Sequence, residues 1–173
     1  MAEEFPEIPK ADDAKDDDFL FNQGITKGLS QIRFHDYKIA YDSIDLPNVN
    51  TFKEQLEVFI EFMAQATPDA EQQKDLDFLL NLGELFTLVV YGQLIIENAR
   101  IYDISDGLLD QIFDFMVRDF SKYALQLYSK QSSTKKQQEI LLRMIKKPHV
   151  DKERFETVWK EVYSLNGFYE MKK

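Results

Sequence analysis

The sequence predicts an all-α fold: about five helices bundled around a buried central helix, with an extended N-terminal arm. Three observations carry that expectation. The run LFTLVVYGQLII, from Leu85 to Ile96, holds no charge between Glu84 and Glu97; a helix apolar on every side must be covered on every side. Breakers are scarce, with 5 Pro and 6 Gly in 173 residues, and 14 Phe within a 44% hydrophobic composition supply a core. Helix-capping signals also recur ahead of apolar residues spaced by three and four. A chain of this length buries roughly 70% of the surface its unfolded form exposes, enough for one sizeable core.

The elements follow in order. Residues 1–18 read as a disordered, solvated tail: Pro6 and Pro9 oppose helix, and Asp12, Asp13, Asp16, Asp17 and Asp18 repel one another. Residues 19–50 read as an extended arm. They are rich in large apolar side chains without a period, broken at Gly24 and Gly28 and closed by Leu46-Pro47-Asn48. The helical domain is expected over 51–173. Thr51 to Glu54 fits a capping box, and Phe52, Leu56, Phe59, Ile60 and Met63 form the apolar stripe of the first helix.

Thr67-Pro68 stops that helix and is expected to cap the second, which runs through Leu76 to about Ala99. Its latter half is the buried centre, with Leu85, Leu88, Val89, Leu94 and Ile95 among the most buried residues. Gly83 and Gly92 are best used there for close helix approach, since each costs roughly 1 kcal/mol relative to Ala. Ser105 caps a third helix, from Asp106 to about Lys130. Thr134 and Gln137 form a capping box for a fourth, ending near Lys147. Asp151 caps a fifth, with Phe155, Val158, Trp159 and Val162 on one side and Asn166-Gly167 as the stop.

The net charge is −10, unevenly spread. The acidic bulk argues against nucleic-acid binding, while residues 118–173 carry thirteen bases against seven acids. That basic third faces either an acidic partner or phosphate, or simply water, and the solvated face is the simpler reading. With no Cys, thiol catalysis and disulfides are excluded. MAEEFPEIPK is acidic and has no apolar run, so no signal peptide is expected. Asp77, Asn81 and Glu84 interrupt the apolar helix, so no membrane span is expected either, and the cytoplasm is the expected location.

Candidate chemistry is sparse. Asp106, Asp110 and Asp114 form one carboxylate stripe, read as a solvated face because His35 and His149 stand outside any Glu-x-x-His pair. Glu84 and Glu97 lie roughly 20 Å apart along a helix. They cannot share a substrate, and Arg100, Arg118 or Lys122 are their expected partners inside the bundle. Lys135, Lys136, Arg143, Lys146 and Lys147 make a basic helix, read as solvated ahead of a phosphate or membrane contact. Gly24-x-x-x-Gly28 lacks the residues of a phosphate loop. No catalytic, cofactor-binding or metal-ligating residue is assigned.

The run DLDFLLNLGELFTLVVYGQLIIENARIYDISDGLLDQIFDFMVRDFSKYALQLY, from Asp75 to Tyr128, resembles the C-terminal helical part of long-form bacterial acyl-CoA dehydrogenases. GITKGLSQIRFHDYKIAYD, from Gly24, is similar to the arm leading into that part, and RFETVWKEVYSLNGFYEM to its ending, so the likeness covers residues 19–171. The resemblance implies an association with flavin-dependent dehydrogenation of a fatty acyl-CoA, with FAD present only in an assembly with a complete dehydrogenase. The family's N-terminal helices, middle β-domain and flavin-contacting loops have no counterpart here, and no Glu matches its catalytic base. The expectation is a non-catalytic accessory subunit or C-terminal domain that supports assembly, with a dehydrogenase subunit or a second copy as partner. The alternatives are an independent helical interaction module and a binder of an apolar ligand in the Phe-rich interior.

Overall fold

The computed structural model describes residues 36–168. The acidic tail, the part of the arm before Asp36 and the last five residues lie outside the described residues. Among the described residues there are six α-helices and no strand. They are α1 (Tyr37–Tyr41), α2 (Pro47–Gln65), α3 (Leu76–Ile101), α4 (Asp106–Tyr128), α5 (Lys135–Met144) and α6 (Lys152–Tyr163), with a 3-10 turn at Gln72–Lys74. The chain is an all-α helical bundle.

Where the expected arm is described, at residues 36–50, it is helical at both ends. Asp36 caps α1, accepting from the Lys38 N–H at 3.0 Å, and α2 begins at Pro47. The Thr51 capping box is therefore corrected. Proline at the first helical position suits the helix start, since its fixed φ is helical and its missing N–H is not needed there. Thr51 lies one turn inside and donates its hydroxyl to the Pro47 carbonyl at 3.0 Å. Thr67 is corrected too, since it lies just past the end of α2 and not at the start of α3. It donates back to the Met63 carbonyl, and α3 is capped by Asp75, whose carboxylate accepts from the Phe78 N–H at 3.0 Å. Ser105, the Thr134–Gln137 capping box and Asp151 cap α4, α5 and α6 as the sequence suggests. Gly167 takes a positive φ of 89° in the turn after α6, where a side chain would be strained.

The central helix is α4, not α3. It packs against α2, α3, α5 and α6, and Leu109, Phe113, Met116, Val117, Phe120, Ala124 and Leu127 on it are all buried. Aromatic rings fill the space between α4 and α2: Phe52 meets Phe113 and Phe120 edge-on, each at 5.4 Å between centroids. Edge-to-face contact of this kind adds to the hydrophobic gain because the ring edge is positive and its face negative.

Helix α3 packs on α4 and α1. Phe78, Leu85, Val89, Gly92 and Ile96 form its inner face. Of the five residues expected to be most buried, Leu85 and Val89 are, Leu88 and Ile95 are partly covered, and Leu94 is exposed. The reason is geometric: a helix laid against the side of a bundle buries one face, whatever the composition of the other.

Gly92 explains how α1 docks. The Tyr41 hydroxyl donates to the Val89 carbonyl at 2.7 Å, and a Cβ on Gly92 would collide with that hydroxyl and press on Met116 Cε at 3.1 Å. Burial holds the Tyr41 hydroxyl protonated well above its ordinary range. Gly92→Ala should therefore destabilise the fold by roughly 1–3 kcal/mol, as overpacking does. Tyr41→Phe should cost about 1 kcal/mol. The double variant should lose less than the two combined, because removing the hydroxyl relieves the clash. Additive losses in urea denaturation would refute this docking.

Asp75 supplies a pH dependence. The Phe78 N–H, and next the ammonium of Lys130, hold its carboxyl below the ordinary 3.8. Its contribution is thus full above about pH 4 and is lost as the pH falls through the lower folded-state value. The urea midpoints of wild type and Asp75→Asn should converge between about pH 5 and about pH 2. A gap that stays constant over that range would remove Asp75 as the cause.

Candidate functional site

The acidic stripe of α4 is not a solvated face. Asp106 is exposed, but Asp110 and Asp114 are each 2% exposed. Asp110 accepts from the Asn48 backbone N–H at 2.7 Å and from the Asn48 side-chain amide at 3.1 Å, and it is ion-paired with Arg154. Arg154 also lies 3.7 Å from Asp114, which Arg118 approaches at 2.7 Å. The Arg154 guanidinium donates to the His149 carbonyl at 2.9 Å, and the His149 N–H donates to the Asn48 side-chain oxygen at 2.7 Å. Spacing along α4 places the three carboxylates on one side. What spacing could not reveal is that α6 brings an arginine to cover two of them.

This cluster is built for holding helices together. Each buried carboxylate is matched by a guanidinium, the arrangement a buried charge requires. Among the described residues no group of three or more His, Cys, Asp or Glu converges as a metal site would. The expected place of Glu84 inside the bundle is also corrected. Glu84 is exposed, Glu97 accepts from the Gln93 amide at 2.9 Å, Arg118 is engaged with Asp114, and Lys122 lies over the Tyr123 ring at 4.9 Å. Of the basic residues around α5, Arg143 pairs with Glu61 at 2.8 Å and Lys146 with Glu54 at 3.0 Å. Lys135, Lys136 and Lys147 are exposed.

The surface that stands out is the outer face of α3. Leu80, Phe86, Tyr91 and Leu94 are 59%, 58%, 58% and 48% exposed, and Leu76 and Ile101 at the two ends 70% and 73%. The face continues into an apolar groove of about 440 Å³ between the end of α3 and the start of α4, lined by Leu94, Ile95, Tyr102, Ile104, Leu108 and Ile112. A second apolar surface lies on α6, where Phe155, Trp159 and Val162 face outward and only Val158 is buried. Val158 seats against Gly107 of α4, where an added Cβ would lie 3.6 Å from it.

Large contiguous apolar patches on a folded domain mark contact sites. By length and composition α3 would also span a bilayer, yet part of its most apolar stretch is packed inside the fold. No family model, curated protein or solved structure matches the chain. The dehydrogenase likeness rests on the quoted residues alone.

Arg154 is the main anchor of α6. Arg154→Met should destabilise the protein by roughly 3 kcal/mol, since it leaves buried carboxylates short of a counter-charge. The single tryptophan, Trp159, lies on α6 and reports it directly. Its fluorescence anisotropy should fall in the variant below the melting temperature, as α6 loosens ahead of the rest. A loss under about 1 kcal/mol with unchanged anisotropy would mean that Arg154 is dispensable.

Proposed function

We propose that the protein is a non-catalytic helical interaction module that binds another protein through the outer face of α3. The observation that supports this reading most is the exposed apolar side of α3, running the length of the helix while its other side is fixed to α4 and α1. Buried ionisable groups in the fold serve structure: Asp110 and Asp114 are matched by Arg154 and Arg118. A narrower version comes from the sequence resemblance: the partner is a flavin-dependent acyl-CoA dehydrogenase, the setting is cytoplasmic, and FAD belongs to that partner.

A photoreactive benzophenone residue at position 94, introduced in the producing cell, tests the reading. The expected result is a discrete protein adduct at position 94 and none at the exposed α4 position 126. Equal or absent adducts at the two positions would sink it. An adduct with a dehydrogenase subunit, in a complex that purifies yellow, is expected from the narrower version; adducts with other proteins only would remove that version and leave the general one.

A further inference from the structure

Resting on the interaction reading, we infer that the occupant of the α3 face is a second copy of this chain, its α3 antiparallel to the first about a two-fold axis at Thr87. The face has one notch and one prominent ring. Gly83 has nothing within 4 Å of where a Cβ would stand, so the fold of a single copy gives no reason for a glycine that weakens the helix. Gly92, by contrast, is required by Tyr41. Tyr91 projects from the same side, 58% exposed.

The two residues are eight apart, with Thr87 midway. Leu80, Gly83, Thr87, Tyr91 and Leu94 therefore follow one another at steps of three, four, four and three, a spacing that reads the same in both directions. An antiparallel copy centred on Thr87 sets Gly83 against Tyr91 twice and Leu80 against Leu94 twice. Each ring then enters a notch, and the same patch serves both partners, as a two-fold interface demands. A parallel pair would set Tyr91 against Tyr91 and leave the notches empty.

The exposed area agrees with this pairing. At roughly 100 Å² left bare by each of the six large side chains, the face offers on the order of 600 Å² per copy, which puts the pair at the lower end of a standard stable interface. In this register Glu97 of one copy lies opposite Asp77 of the other, a like-charge approach that opposes the contact. The ion pair of Asp77 with Lys130 offsets that cost, so the apolar contacts decide the register.

Single cysteines in the otherwise cysteine-free full chain test the register. Thr87→Cys should form a disulfide-linked dimer rapidly under mild oxidation, with Gln126→Cys as the control. Leu80→Cys and Leu94→Cys should cross-link to each other in a mixture, faster than either does to itself. Gly83→Leu should raise the dimer dissociation constant in sedimentation by roughly tenfold or more, through overpacking of the notch, with no loss of helical content. A chain that sediments as a monomer at every concentration, or equal cross-linking at 87 and 126, would overturn the self-pairing. So would a Gly83→Leu variant that dimerises normally, or co-flotation of monomers with phosphatidylcholine vesicles. Benzophenone adducts at position 94 with another protein only would also end it, while leaving the interaction module standing; no adduct at all would remove both.

Discussion

The Asp110 carboxylate is the point at which the chain is tied together. Helix α2 starts at Pro47 behind Leu46, which offers no side-chain cap, so its first N–H groups need an acceptor from elsewhere. Asp110 supplies it from the middle of the fold, placing a negative charge at the positive end of the α2 dipole. The same carboxylate holds Arg154 and so fixes α6, and Asn48 extends the network to both backbone groups of His149. A buried charge is tolerable only with such partners. Each segment that meets Asp110 therefore stabilises the others.

Two further polar clusters repeat the device with amides. The Gln55 amide donates to the Met144 carbonyl at the end of α5, at 2.8 Å, and to the Val117 carbonyl and the Ser121 hydroxyl of α4. Gln137 and Gln72 exchange hydrogen bonds of 2.8 and 2.9 Å while reaching the Ala66 and Ser132 carbonyls. Carbonyls at helix ends have no partner within their own helix. These glutamines provide one inside the core, where an unsatisfied group is most costly. The connections around α4 are thereby fixed by specific bonds as well as by apolar packing.

Helices α3 and α6 stand outside that arrangement, each attached along one side. For α3 the attachment is mainly apolar, with Tyr41 of α1 reaching across Gly92 and Lys130 pairing with Asp75 and Asp77 at its start; for α6 it is Arg154 and Val158. Both helices are held along one side, and both turn large apolar side chains outward. A rigid helix presenting its face loses little conformational freedom on contact, which favours association. This is the physical basis of the proposal that α3 offers its outer face to another protein surface.

Local chemistry determined much of this from sequence. Ser105, Thr134 with Gln137, and Asp151 could be read as caps because a cap is settled within four residues. The all-α class followed from apolar spacing and scarce breakers for the same reason. Thr51 and Thr67 misled because a hydroxyl that fits a cap also bonds the carbonyl four residues back, one turn inside a helix for Thr51 and just past a helix end for Thr67. Only the tertiary structure decided which helix is central, that Asp110 and Asp114 are buried, and that Leu94 and Trp159 face outward. Periodicity states which residues share a face, but whether that face is covered depends on the placement of chain far away in sequence. The Leu85–Ile96 run specified a helix with no polar side; the docking of α4 and α1 on one side alone left the other bare.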